Sequence, residues 1–244
     1  PCRASIVPAP HAMSYATPLG DGSSDACFAL FAKYWEAGSV KTRLASQIGA
    51  QQAGQLYYEL LAATLARMSA VAAYRVVAYT PADRRDAFAR LAPQWDQIPQ
   101  QNGDLGKRLG DFFNQQFQAG RKRVVVIGAD SPHLPPAHIE AAYTALQNND
   151  VVLGPTEDGG YYLVGARGST PPIFADVAWG TPAVWGQTTA RLHRAGLAYE
   201  VLPRWYDIDR AEDVDRVARD LAAANDLDAP LERLRERLQA IRSQ

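Results

Sequence analysis

Apolar positions along the chain switch repeatedly between two periods, and the switching predicts strands and helices in turn. Ala26 to Ala32 is a continuous apolar run that predicts a buried first strand. After a glycine-containing loop, Leu56, Leu60, Leu61, Leu65 and Met68 recur at helical spacing and predict a helix with one buried stripe. Tyr74 to Tyr79 reads as a second strand, followed by a short helix capped by Asp83 and an extended piece near Trp95 to Ile98. Leu105, Leu109, Phe112, Phe113 and Phe117 share one face of a further helix that stops at Gly120. Arg123 to Gly128, with Val124, Val125, Val126 and Ile127 in succession, predicts the central strand.

Pro135 and Pro136 open a helix bearing Ile139, Tyr143 and Leu146, and Val151 to Leu153 and Tyr161 to Val164 read as short strands. Thr181-Pro182 is a cap and first-position pair for a helix with Val184, Thr188 and Leu192 on one face. Tyr199 to Leu202 reads as the last strand. Asp209 and Glu212 resemble a capping box before Val214, Val217 and Leu221, and a charged amphipathic helix runs from Pro230. This order predicts an α/β fold, a three-layer α/β/α sandwich around a mixed, mostly parallel sheet. Ligands of such sheets sit beyond the carboxyl ends of strands, so the chemistry is expected in the loops just after them.

Length and composition narrow the picture. With 244 residues, 47% of them hydrophobic, the chain is expected to form one catalytic domain over residues 26–244. Residues 1–25 are rich in Pro, Ala, Ser and Gly, lack a signal-peptide core, and read as a flexible arm. Residue 1 is Pro while Met13 lies within this arm, so part of it is open to a recombinant origin. A net charge of −1 gives no broad field for nucleic acid or an anionic membrane, so a phosphate must be held by a local cluster. No apolar stretch approaches the ~20 residues that span a bilayer. Cys2 and Cys27 are too few for a disulfide framework and fit a reducing cytoplasm, and His11, His133, His138 and His193 lack zinc-site spacing.

Five loops carry candidate chemistry. Lys33 to Leu44 holds Lys33, Gly38, Lys41 and Arg43, which suit a pyrophosphate, although a solvated basic loop explains them equally. In Gln100 to Arg108, Gln101, Gly103, Asp104, Gly106 and Arg108 are candidates for binding a nucleotide, the amides and glycine turn reading the edge of its base, while Asp104 is also placed simply to cap the next helix. Asp130, directly after the central strand, is where a hard cation bridging two phosphates would be held, the alternative being a turn before Pro132. Asp158-Gly159-Gly160-Tyr161 offers an acid as general base and glycines that admit an acceptor, or else a hairpin turn. Asp209 either completes a metal site or caps a helix, and Trp179 is either a sugar-stacking platform or core.

Phe31-Ala32-Lys33, Gly38, Val40-Lys41-Thr42-Arg43-Leu44, Gly103-Asp104-Leu105-Gly106, Gly128-Ala129-Asp130-Ser131-Pro132, Asp158-Gly159-Gly160-Tyr161-Tyr162 and Asp207-Ile208-Asp209 stand in order along the chain. Together they resemble bacterial GT-A-like glycosyltransferases of the arsenosugar-biosynthesis type, over nearly all of residues 26–221. The resemblance implies a nucleotide-diphospho-sugar transferase fold related to sugar-phosphate nucleotidylyltransferases. It implies Mg²⁺ or Mn²⁺ on Asp130 and Asp209, with phosphates on Lys33, Lys41 and Arg43. Phe31 and Ala32 join the nucleotide site, Gly159, Gly160, Tyr161 and Trp179 the acceptor site, and Asp158, Lys41 and Arg43 the catalytic group. The expected activity is glycosyl transfer from a nucleotide sugar to a small-molecule acceptor. Nucleotidyl transfer to a sugar phosphate, or nucleotide binding without catalysis, are the alternatives. Ala37 stands where the family commonly has proline, beside the bulky or acidic Tyr34, Trp35 and Glu36.

Overall fold

The computed structural model of the protein describes residues 24–242. The arm expected over residues 1–25, with His11 and Met13, lies almost wholly outside the described residues. The described chain runs β1 (Ala26–Lys33), α1 (Thr42–Ile48), α2 (Ala50–Met68), β2 (Tyr74–Thr80), α3 (Arg85–Leu91), β3 (Asp96–Pro99), α4 (Leu105–Gln118) and β4 (Arg123–Gly128). It continues through α5 (Ala137–Ala145), β5 (Val151–Pro155), β6 (Tyr161–Arg167), α6 (Val184–Ala195), β7 (Tyr199–Val201), α7 (Ala211–Ala223) and α8 (Ala229–Arg242). The strands form one sheet in the order β3-β2-β1-β4-β6-β5-β7, with β6 antiparallel to both its neighbours and every other pairing parallel. The expected mixed, mostly parallel sheet is therefore present, and the chain order reverses between β1 and β4, where an open α/β sheet forms its crevice.

Alternation along β1 sorts the core. Phe28 and Leu30 face the α2, α3 and α5 layer, against Tyr57, Leu61, Phe88 and Ile139, whereas Cys27 and Ala29 face α4 and α6, against Leu109, Phe113 and Leu192. The single stripe expected on α2 is in fact two. Leu61 and Leu65 meet the sheet, while Leu56 and Leu60 pack under Val214, Val217, Leu234 and Leu238 of α7 and α8. No helix among the described residues is long and apolar enough to cross a membrane.

Three boundaries differ from expectation. Residues 42–48, read as part of a loop, form α1, a helix that buries only Leu44 and ends at Gly49, too short to print a helical stripe on the sequence. Helix α6 starts at Val184 rather than at the Thr181-Pro182 pair; Thr181 Oγ1 donates to the Ala178 carbonyl at 2.7 Å and accepts the Ala183 N–H at 3.3 Å, within a turn that precedes the helix. The capping box of α7 is one residue later than expected. Asp213, not Glu212, accepts from the backbone N–H groups of Asp209 and Arg210, which leaves the Asp209 side chain free of capping duty.

Candidate active site

The loops after β1, β4 and β7 meet beyond the carboxyl ends of the strands around a cleft of about 640 Å³. Lys41 stands at its centre. Its backbone takes the left-handed conformation at φ 48°, ψ 45° as it caps α1, an arrangement that costs about 1–2 kcal/mol for a residue with a Cβ. The consequence is a side chain only 4% exposed, with Nζ 2.6 Å from Asp130 Oδ1 and 2.9 Å from Asp209 Oδ1. Burial alone would lower the ammonium pKa, but the two carboxylates outweigh it and hold it above the ordinary lysine range. Burial likewise raises Asp209, yet Lys41 and then Arg43, 3.6 Å from its Oδ2, keep the carboxyl below its usual range.

Two loops far apart in sequence fix these acids. Ile208 N–H donates to the Asp130 carbonyl at 3.0 Å, and Ser131 Oγ donates to Asp207 Oδ1 at 2.6 Å with the Tyr206 carbonyl at 3.0 Å. From α2, Arg67 donates to the carbonyls of Pro132 and Leu134 and to Asp228, so the turn that carries Asp130 is clamped from below. Asp207 received no role from the sequence. Burial first, then the charge of Asp130, push its carboxyl up to about 7, which adds a third acid to the corner. Two carboxylates aimed at one buried point are hard oxygen donors of the kind Mg²⁺ or Mn²⁺ takes, and the Lys41 ammonium holds that point. The donor chemistry fits such a cation. No group of three His, Cys, Asp or Glu among the described residues is spaced to hold one alone, so its remaining ligands would be phosphate oxygens and water.

The remaining expected residues divide between the cleft and its walls. Phe31, Ala32, Lys33, Arg108, Asp158 and Tyr161 line it with Lys41, Arg43, Asp130 and Asp209. Gln100 lines it in place of Gln101, its amide held by the Ala78 carbonyl at 2.7 Å. Tyr57 of α2, also unassigned from sequence, lines it and accepts the Lys33 N–H at 3.0 Å. Gly38, Gly103, Asp104, Gly106, Gly159, Gly160 and Trp179 are not among the lining residues. Asp104 caps α4 by accepting from Lys107 N–H at 2.8 Å. Gly159, at φ 91°, packs so closely on Pro182 that a Cβ would fall 2.6 Å from its carbonyl. Trp179 packs edge-on against Tyr161, 6.0 Å between ring centres, and braces that wall from behind.

A Cβ on Gly106 would lie 2.0 Å from the Phe174 carbonyl and 2.5 Å from Trp179 Nε1, so this glycine is a close-packing position. Gly106→Ala is expected to cost about 1–3 kcal/mol of stability, the usual range for overpacking. Urea denaturation measures it, and an unchanged midpoint would mean that the Phe174 to Trp179 segment yields.

With that geometry in place, likeness to other proteins can be weighed. Residues 62–181 match the family described as "Uncharacterized protein conserved in bacteria (DUF2064)". A candidate nucleotide-diphospho-sugar transferase from Desulfovibrio desulfuricans G20 is 34% identical, over 90% of this chain and 98% of that one, with a TM-score of 0.83. The chain belongs to the GT-A-like nucleotide-diphospho-sugar transferase family. More distant structures share the family's fold alone. One is a cytidylyltransferase from Leptospira borgpetersenii serovar Hardjo-bovis, 13% identical over 90% of this chain and 96% of that one, TM-score 0.53. Another is CMP:2-keto-3-deoxy-manno-octonic acid synthetase, solved with CTP, 13% identical over 81% and 98%, TM-score 0.52. No curated protein matches the chain. Along the chain, the DUF2064 match takes in Asp130 and Asp158 and stops short of Lys41 on one side and Asp209 on the other.

Proposed function

We propose that the chain transfers a glycosyl group from a nucleoside-diphosphate sugar to a hydroxyl of a small-molecule acceptor, with Mg²⁺ or Mn²⁺ held by Asp130 and Asp209. The observation that carries this reading is the convergence of Lys41, Asp130 and Asp209 from three separate loops at one buried point in a family of nucleotide-diphospho-sugar transferases. The divalent ion would supply charge neutralisation at the leaving diphosphate. Lys41 and Arg43 add two cations beside it, and Lys33 at the end of β1 a third, so charge developing on the departing oxygen meets fixed counter-charge, with the Lys41 ammonium buried and Arg43 and Lys33 open to solvent. Tyr57 holds the Lys33 backbone against α2 and so fixes where the phosphate loop begins.

Asp158 serves as general base. Its Oδ1 accepts from Thr156 Oγ1 at 2.5 Å and from Gly160 N–H at 3.1 Å, an arrangement that locks the carboxylate at the cleft rim. The flanking Glu157 is taken up by a two-pronged ion pair with Arg216 of α7, at 2.7 and 2.9 Å, which ties this turn to the helix that follows Asp209. Asp158→Asn is expected to leave donor binding near normal and to cut turnover by about 10²–10⁴-fold, the usual worth of a positioned base. The assay is release of nucleoside diphosphate from sugar nucleotides in the presence of acceptor. The competing reading, nucleotidyl transfer, draws on the fold it shares with cytidylyltransferases. It demands pyrophosphate release from a nucleoside triphosphate, and that product without nucleoside diphosphate release from any sugar nucleotide would replace the glycosyl reading.

A further inference from the structure

Lys41 holds a backbone conformation that its side chain disfavours. A residue with a Cβ stays left-handed only where its surroundings over-determine it, yet the loop that delivers Lys41 is exposed from Glu36 to Ser39. Val40 and Leu44 are buried beyond that stretch and hold the start of α1. On the near side the anchor is Trp35. Its ring centre lies 4.9 Å from that of Tyr58 on α2, 5.4 Å, edge-on, from that of Phe88 on α3, and 4.7 Å from that of Tyr34. Phe88 in turn packs on Tyr79 near the end of β2 at 5.0 Å, and the Arg84 guanidinium covers the Tyr34 ring at 4.6 Å.

The backbone is shaped to the same anchor. Tyr34 N–H donates to the Thr80 carbonyl at 2.7 Å, which carries the pairing of β1 with β2 one residue past Lys33. Helix α2 turns Gly54 to the loop, where a Cβ would stand 3.2 Å from the Trp35 carbonyl and 3.4 Å from Ala37 Cα. The exposed stretch is then a single turn. Ser39 N–H donates to the Glu36 carbonyl at 3.0 Å, and Gly38, in third place, has φ 83°, the signature of a type II turn. Only this turn and the buried Val40 separate the indole from Lys41, so a shift at the indole is passed on to the ammonium.

We propose that Trp35 is a positioning residue for the phosphate-binding cations: held between α2 and α3, it fixes the turn that sets Lys41 and Arg43 at the cleft. Trp35 is not itself among the residues that line the cleft. The phosphate role of the cations rests on the glycosyl-transfer reading, whereas the anchoring does not depend on it. Plain packing would make Trp35 a stability residue only. Positioning has a local consequence instead: loss of the indole loosens residues 36–43 more than the rest of the chain, weakens phosphate binding, and is repaired by a stiffer turn. The second place of a type II turn suits proline, so Ala37→Pro supplies that stiffness without restoring an aromatic ring.

Two measurements on the full chain test this. Limited trypsin digestion reads the bonds after Lys33, Lys41 and Arg43. Trp35→Leu is expected to be cut there about tenfold faster than the native chain, with other sites little changed, because cleavage follows the population of the locally open form. Calorimetric titration with inorganic pyrophosphate and Mn²⁺ is expected to show about tenfold weaker binding in the same variant, the scale of one lost charge-assisted contact. Trp35→Phe, and Trp35→Leu joined to Ala37→Pro, are expected to recover both. Native-like cleavage of these bonds in Trp35→Leu, cleavage raised uniformly along the chain, loosening with pyrophosphate affinity unchanged, or recovery in neither second variant overturns the proposal. If the native chain binds no pyrophosphate, the phosphate reading of the cleft fails and with it the role given to these cations, while the digestion separately decides whether Trp35 anchors the turn.

Discussion

Asp130→Asn is expected to cut turnover by about 10²–10³-fold, the usual loss when one fixed electrostatic partner of a transition state is removed, and to abolish metal-assisted nucleotide binding. The fold should survive. The attachments that shape this turn are backbone ones, the Ile208 N–H on the Asp130 carbonyl and the Arg67 side chain on the carbonyls of Pro132 and Leu134, and Asn leaves them in place. What changes is charge. Asn retains an oxygen for Lys41 but no negative charge, so the pull of two carboxylates on one buried ammonium drops to one. Nucleotide affinity measured with and without Mn²⁺, beside a thermal melt, checks this. If the Mn²⁺ dependence of the variant equals that of the native chain, the cation is not held at Asp130, and the mechanism proposed above loses its centre.

Much of the scaffold behind this site could be read from periodicity, for a physical reason. β1, β4 and α4 are buried elements whose apolar pattern is imposed by their packing, so the sequence carries their signal undiluted. What escaped detection depends on contacts remote in sequence. Asp207 is an unremarkable acid in Asp207-Ile208-Asp209, and only the return of the chain from β7 brings it to Ser131, with Asp130 next along that loop. Gln100, rather than Gln101, meets the cleft because its neighbour Pro99 ends an extended strand and the side chains alternate across it. Asp209 offered two readings in sequence, cap and ligand, compatible with a shared role, and the capping one falls away because Asp213 takes the backbone donors. Gly106 and Gly159, placed in the binding site on sequence, face Phe174 and Pro182, since a glycine that admits another segment of the same chain looks no different in sequence from one that admits a ligand.

Lys41→Met is expected to produce the largest combined effect, because one side chain serves both stability and chemistry. Removing the ammonium leaves Asp130 and Asp209 as like charges in a partly buried corner and pushes the already raised Asp207 carboxyl further toward its neutral form. The two carboxylates left behind are each 38% exposed and partly solvated, so the cost is expected to fall below the about 3–5 kcal/mol of a fully buried pair, and the release of backbone strain does not offset it, since Met is held at the same left-handed position. Turnover should fall with the lost phosphate contact by at least about 10²-fold. The informative result is the response to a divalent cation. If Lys41 and the metal compete for the same two carboxylates, Mn²⁺ should raise the melting temperature of Lys41→Met more than that of the native chain, because a ligand that binds only the folded state stabilises it in proportion to its affinity. In that event the lysine is a resident counter-ion that yields the carboxylates when the metal arrives and turns to the donor's phosphates. An equal Mn²⁺ shift in both proteins would instead leave Lys41 as a fixed strut of the corner, with the metal held elsewhere along the cleft.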